Sequence, residues 1–349
     1  MLRHSAWAVV AAMTGCKMFK DSPEQKSDSS LPRSDGNATR ISRPQPLQEP
    51  SRLAYGNGLV GQLRAGALVV WDTTAWTQKT SIALENPKGI GALADGSLLV
   101  MDVPPVLKGS IRLRRLRGAE APAAEYKGSL SWPPFGLVRL YPAATAEEFL
   151  LISPGSHYSV EKCALTANGE ARLIDSLPMA ADEHRTMASL GTGNLGHFFS
   201  DSIVKLTFPA SKQSFPLPSE VSALRHLASG PQPDQVWVSD ASDDVILLRL
   251  GTPCQVLRKI QSSGSLVYNL AAAGAYAAAL LKTTSPTGVP QSTTLVVYHQ
   301  DGHEQWRTGL PPGQASSAQS LLVGPNFVAV AGEEALAAWQ LEDGRQLLK

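Results

Sequence analysis

Residues 297–306 read VYHQDGHEQW and place His299, Asp301, His303 and Glu304 within six positions. Imidazole nitrogens and carboxylate oxygens ligate zinc and related cations, and the same groups carry protons in general acid–base catalysis. Asp301-Gly302, however, lies between two alternating apolar runs. Asp-Gly in that setting marks a tight hairpin, because the turn's central residues need positive φ. His299 and His303 are therefore expected to flank a solvated turn, and no metal site is expected there.

Other residues could also do chemistry. His157, Tyr158 and His184, with Asp182 and Glu183, belong to polar connections that could share one face, and their side chains could converge on a metal. Dispersed surface residues are the simpler expectation. Asp240, Asp243 and Asp244 offer oxygen ligands of the kind calcium takes, but their spacing matches no full calcium loop, so a turn role is expected. The run IRLRRLRG puts Arg112 and Arg114 on one strand face and Arg115 and Arg117 on the other. That basic patch could grip phosphates or an acidic partner, or be a charged strand near a blade edge that discourages edge pairing. Trp132, in WPPF, is either an exposed aromatic anchor or a wedge between structural units. No Ser-His-Asp order, phosphate-cradling glycine loop or close carboxylate pair stands out, so no catalytic residue is assigned.

What must position these residues is an all-β body. From about residue 51 onward, short runs of Val, Leu, Ile and aromatics are broken by Gly, Asn, Asp and Pro, with no convincing amphipathic helix. The stretch LAAAGAYAAALL, 270–281, is too short to span a bilayer. Residues 55–80 and 324–348 share one plan, with Trp71 falling on Trp339 and Asp343-Gly344 falling near Ala75-Trp76. Asn168-Gly169 and Asp301-Gly302 mark the same turn elsewhere. Equivalent outer turns fall near residues 75, 118, 168, 210, 251, 301 and 343. A period of about 40–50 residues with four strands per unit predicts a β-propeller, here a single seven-bladed ring over 51–349. Loops joining the second strand to the third, and one blade to the next, then share one face. They include 103–109, 154–159, 178–186, 240–244 and 284–292, so Trp132, His157, Tyr158, His184, Asp243 and Asp244 are the candidate binding face. Cys163 and Cys254 map to blades three and five, too far apart to bridge, and are expected to be free thiols.

The N-terminus carries an address. Arg3 precedes a short apolar stretch, and Met13-Thr14-Gly15-Cys16 resembles the lipobox of bacterial lipoproteins. The resemblance implies removal of residues 1–15, a diacylglycerol and an N-acyl chain on Cys16, and, with Lys17 next to it, sorting to the outer membrane of a Gram-negative cell. Acyl chains hold a protein on a membrane at about 0.8 kcal/mol per buried CH₂. Residues 16–50 have almost nothing to bury and are expected to be a disordered tether averaging roughly 30 Å end to end.

The patterns VVYHQDGHEQW and AAWQLEDGRQLL resemble the repeat of bacterial PQQ-like propellers. Trp71-Asp72 is similar to a WD40 blade, but no Gly-His lies at the expected distance upstream, so that family fits less well. Quinoprotein members of the PQQ-like group carry adjacent cysteines and a calcium-bound quinone, and this chain has no adjacent cysteines. The formal charge of +1 argues against nucleic acid as a partner, because phosphate binding needs a basic field. The expectation is a non-catalytic, lipid-anchored scaffold for envelope proteins, facing the periplasm or the outside, with no cofactor beyond its lipid. The alternative is a propeller enzyme or ligand binder, similar to a glycan lyase or a quinoprotein, working from the loop face.

Overall fold

The computed structural model describes residues 51–103, 110–118, 124–129, 138–152, 159–179, 187–191, 193–199, 201–209, 211–262, 264–284, 290–311, 320–332 and 334–348. The signal and tether expected over 1–50 lie outside them. The described residues form seven antiparallel sheets of four strands, each with its strands in chain order. This is a seven-bladed β-propeller, with blades at 53–83, 87–129, 139–178, 188–216, 224–260, 266–309 and 320–348. All seven expected outer turns fall between the third and fourth strand of a blade. Trp71 and Trp339 occupy equivalent register positions, opposite Val60 and Val328 of their second strands.

Burial follows from the stacking of blades. A middle strand is covered on both faces by neighbouring blades, so it needs apolar residues throughout rather than alternation. Leu98–Asp102 and Phe327–Ala331 are buried at every position. Outer strands such as Thr77–Ala83 and Ala171–Pro178 are largely exposed. In blades one, three, five, six and seven the outer strand carries a one-residue bulge near its turn. Bulges twist an edge away from pairing with other chains. The alanine-rich run 270–281 is a hairpin, the two innermost strands of blade six, turning at Gly274-Ala275.

The core is divided among the seams. Seven apolar clusters each draw on two adjacent blades. One of them joins blade seven to blade one through Leu53, Val60, Trp76, Phe327 and Leu336. Every blade, including the first and last, is one contiguous stretch of chain. The ring is therefore closed by contacts alone, without exchange of a strand between its ends. Arg52 N–H donates to Ser320 Oγ at 2.8 Å and Gln62 Nε2 to the Ala335 carbonyl at 3.2 Å across that seam.

One device recurs at the seams. Gly344, in the left-handed region at φ 71°, brings the outer turn of blade seven against Trp306 of blade six. A Cβ at Gly344 would lie 2.8 Å from the indole, and Trp306 Nε1 donates to the Leu341 carbonyl at 2.8 Å. Between blades five and six, Arg258 covers Gly302 in the same way and donates from Nε to the Asp301 carbonyl at 2.9 Å. At the closing seam the arrangement inverts. The left-handed turn residue is Trp76, φ 52°, and its ring meets Phe327 edge-on at 5.0 Å.

Candidate functional site

The connections between second and third strands, and between blades, lie on one face, as the antiparallel order requires. The three longest connections, 130–138, 179–187 and 310–319, all run from one blade to the next. Trp132, His157, Tyr158 and His184 fall outside the described residues. Asp243 and Asp244 are described, and both are engaged. Asp243, at φ 64°, has Oδ1 2.5 Å from Arg225 Nη1 and accepts the Val267 N–H at 3.1 Å. Burial pushes its carboxyl up, against Arg225 and the Val267 amide. Asp244 Oδ2 lies 3.2 Å from Lys259 Nζ.

Asp240 organises this loop. It accepts the N–H groups of Ser242 and Asp244, and its other oxygen takes Ser222 Oγ at 2.8 Å. The three carboxylates thus face backbone donors and cations of their own chain, as turn residues do. Asp102 does the same at the end of the second strand of blade two, accepting the Asn86 N–H at 2.6 Å. Sequence reading missed Asp102. The signal was an aspartate ending an apolar second strand, LLVMD against QVWVSD.

The arginines do not form an open basic patch. Arg115 is fully buried, with Nη2 2.7 Å from Asp95 Oδ2, Nη1 2.8 Å from Glu147 Oε2 and Nε 2.8 Å from Ser97 Oγ. Burial works against its charge, but Glu147 and Asp95 outweigh it and hold the guanidinium protonated. Arg112 meets Glu85 and Glu125, and Arg114 meets Glu125 and the Ala83 carbonyl. Arg117 remains 60% exposed near Glu147. Of the two readings, the geometry is that of a charged blade strand, with Arg115 tying blade two to blade three.

Cys163 and Cys254 are free and buried. Burial, aided by Glu161, pushes the Cys163 thiol up to about 12, which leaves it unreactive at neutral pH. A Ser–His contact does exist, His226 Nδ1 lying 2.7 Å from Ser239 Oγ. Both side chains are buried, so no substrate reaches them, and the neighbouring Asp240 is committed to its loop. Burial, aided by Arg225 and opposed by the Tyr268 backbone, drives His226 down to about 4 and keeps it neutral. The central channel holds a cavity of about 210 Å³ lined by Ser51, Arg139, Tyr141, Ser189, Asn269 and Ser320 among others. Arg139 Nη1 and Tyr141 OH both donate to the Met187 carbonyl, at 3.3 and 3.1 Å.

The hairpin at 299–303 is where the sequence placed it, on the face opposite the long loops. Its side chains converge more than a solvated turn requires. His303 Nδ1 lies 2.5 Å and His299 Nδ1 3.0 Å from the two oxygens of Asp301.

These features define the class of protein: a seven-bladed β-propeller of consecutive four-stranded meanders. No protein-family model matches the chain, and no curated protein matches it. Among solved structures it is similar to a chain of the mitotic checkpoint complex, at TM-score 0.61 and 12% identity, covering 92% of this chain and 99% of that one. It is similar also to virginiamycin B lyase from Staphylococcus aureus, at TM-score 0.54 and 12% identity, covering 83% and 94%. BamB from Moraxella catarrhalis matches at TM-score 0.47 and 15% identity, covering 82% and 84%. Identities this low establish a fold that serves a lyase and a checkpoint complex alike, and leave activity to be argued from residues.

Proposed function

We propose that this chain is a lipid-anchored, non-catalytic propeller of the PQQ-like type that docks an envelope protein through its long-loop face at the outer membrane. The observation that carries the reading is an asymmetry of connection length: the three longest, 130–138, 179–187 and 310–319, all join the fourth strand of one blade to the first strand of the next, and so leave from strand ends on one face. Propeller strands are committed to packing, so a partner is read by loops. Among the described residues, the buried His226–Ser239 contact has no access for a substrate, and the carboxylates of the 240–244 loop are spent on internal partners. The lipobox-like Cys16 supplies the anchor, and the polar stretch after it supplies reach.

The test uses the full chain in a Gram-negative host, with membrane fractionation and crosslinked capture. Cys16→Ala is expected to move the protein to the soluble fraction. Tyr158→Ala and His184→Ala are expected to weaken capture without lowering Tm, since substitutions away from packed strands change stability by under about 0.5 kcal/mol. Gly302→Val, on the opposite face, is expected to lower Tm and spare capture. Retention of Cys16→Ala in the membrane pellet would refute the anchor. Capture lost with Gly302→Val but kept with both loop variants would refute the docking face.

A further inference from the structure

The polar atoms of the 299–303 hairpin are arranged in an order that a turn alone does not explain. Gln305 is the extra residue of the blade-six bulge, skipped where Val297 pairs with Trp306 and Tyr298 with Glu304. Its amide Nε2 donates to the Glu342 carbonyl at 2.9 Å. A carbonyl only accepts, so this contact fixes which end of the Gln305 amide is nitrogen. The amide oxygen is then left facing His303 Nε2 at 3.1 Å. An amide oxygen also only accepts, so His303 carries its proton on Nε2, and in the neutral ring Nδ1 is a bare lone pair. That lone pair points at a carboxylate oxygen of Asp301, 2.5 Å away. On the other side of the same carboxylate, His299 Nδ1 is screened from solvent and, among the described residues, makes no contact with hydrogen-bond geometry, although Asp301 Oδ2 is 3.0 Å away.

Two nitrogens and a carboxylate therefore gather, with all three ligand atoms within 4.8 Å of one another. Beside the His303 N–H that Asp301 Oδ1 already accepts at 3.3 Å, such a cluster is suited to a positive centre between its members. We infer that His299, Asp301 and His303 form a binding site for a borderline divalent cation of the zinc class, ligated by the two Nδ1 atoms and the Asp301 carboxylate.

Two imidazoles and one carboxylate suit zinc, copper or nickel and are too nitrogen-rich for calcium or magnesium. Bonds of about 2.0–2.2 Å around a tetrahedral centre separate ligand atoms by roughly 3.3 Å, which small side-chain rotations reach from the present spacing. Gln305 supports His303 through its second nitrogen, the usual outer-shell arrangement of a ligating histidine. The backbone is already fixed. His299 N–H donates to the His303 carbonyl at 3.0 Å, Gly302 N–H to the His299 carbonyl at 2.9 Å, and Arg258 Nε to the Asp301 carbonyl at 2.9 Å. Glu304 is held by Arg307 and is not a ligand. Asp301 and His303 are half exposed, at 49% and 57%, so a fourth position is open to water or to a donor from another molecule. The site lies on the face away from the long loops and does not depend on the docking reading.

The experiment is calorimetric titration of the untagged, chelator-treated protein with Zn²⁺ at pH 7.5, paired with Co²⁺ absorption and thermal melting. One equivalent of Zn²⁺ is expected, with Tm rising as its concentration rises and no displacement by Mg²⁺ or Ca²⁺. His299→Ala and His303→Gln are each expected to abolish the one-equivalent binding. Gln305→Ala is expected to weaken it about 10–100-fold while the metal-free protein stays folded. If His299→Ala fails to fold, the more exposed His303→Gln carries the test alone. No stoichiometric uptake by the parent protein, or uptake unchanged in His303→Gln, would overturn the assignment and leave a proton as the positive centre.

Discussion

Phe327→Ala is expected to cost about 3–5 kcal/mol, among the largest losses available to a single substitution in this ring. Phe327 is 1% exposed and meets Tyr55 and Trp76 edge-on, at centroid distances of 5.3 and 5.0 Å. Both partners belong to blade one and Phe327 to blade seven. The truncation therefore leaves a cavity at the seam between blades one and seven, which only side-chain and backbone contacts hold closed. Chemical denaturation followed by tryptophan fluorescence measures the loss. Phe199→Ala is the control: that ring is 50% exposed, and its removal is expected to cost under about 0.5 kcal/mol. A Phe327→Ala loss below about 1 kcal/mol would mean that the closing seam contributes little to stability.

A second large effect is expected from pH. His226 is buried and neutral, with its pKa driven down to about 4, whereas an unfolded histidine titrates near 6.5. As pH falls below about 6.5 the unfolded chain takes up a proton that the folded chain refuses until about pH 4. Neutral His226 thus favours the folded state fully above pH 6.5, and this contribution drains away between pH 6.5 and 4, by about 3 kcal/mol in all. Unfolding free energies measured in urea at steps through that window should fall more steeply for the parent protein than for His226→Asn. Parallel pH profiles for the two would sink the prediction. Should the variant not fold, the imidazole C–H resonance of His226 gives the same answer by holding still down to pH 5.

What could be read from the sequence was set by local conformational need. Gly169, Gly302 and Gly344 stand at φ values of 76°, 97° and 71°, and a preceding Asn or Asp beside each made the turns visible. The turn of blade one has no glycine, and was placed only because Trp71 aligns with Trp339. Its left-handed residue, Trp76, gives no local signal. Within the sites, the legible part was the loop assignment of Asp240, Asp243 and Asp244. The illegible part depended on register between strands distant in sequence. Arg115 is buried because Asp95 and Glu147 arrive from two different blades. His226 meets Ser239 only through the pairing of two strands of blade five. Gln305 faces His303 because a bulge removes its cross-strand partner, and no run of residue types announces a bulge.

Because each blade is one unbroken stretch of chain, the order of blades around the ring is independent of where the polypeptide starts. A gene rearranged to begin at Leu224, the start of blade five, with the 348 end joined by a linker to residue 53, would encode the same seven seams. Only the covalent break would move, from the seven–one seam to the four–five seam, where Ala188, Leu190 and Ile203 of blade four pack against Leu224, Leu227 and Val236 of blade five. By the same logic each blade is one cassette of sequence, since no neighbour lends it a strand. The ring is modular along the gene as well as in space: a cut between any two blades divides no sheet.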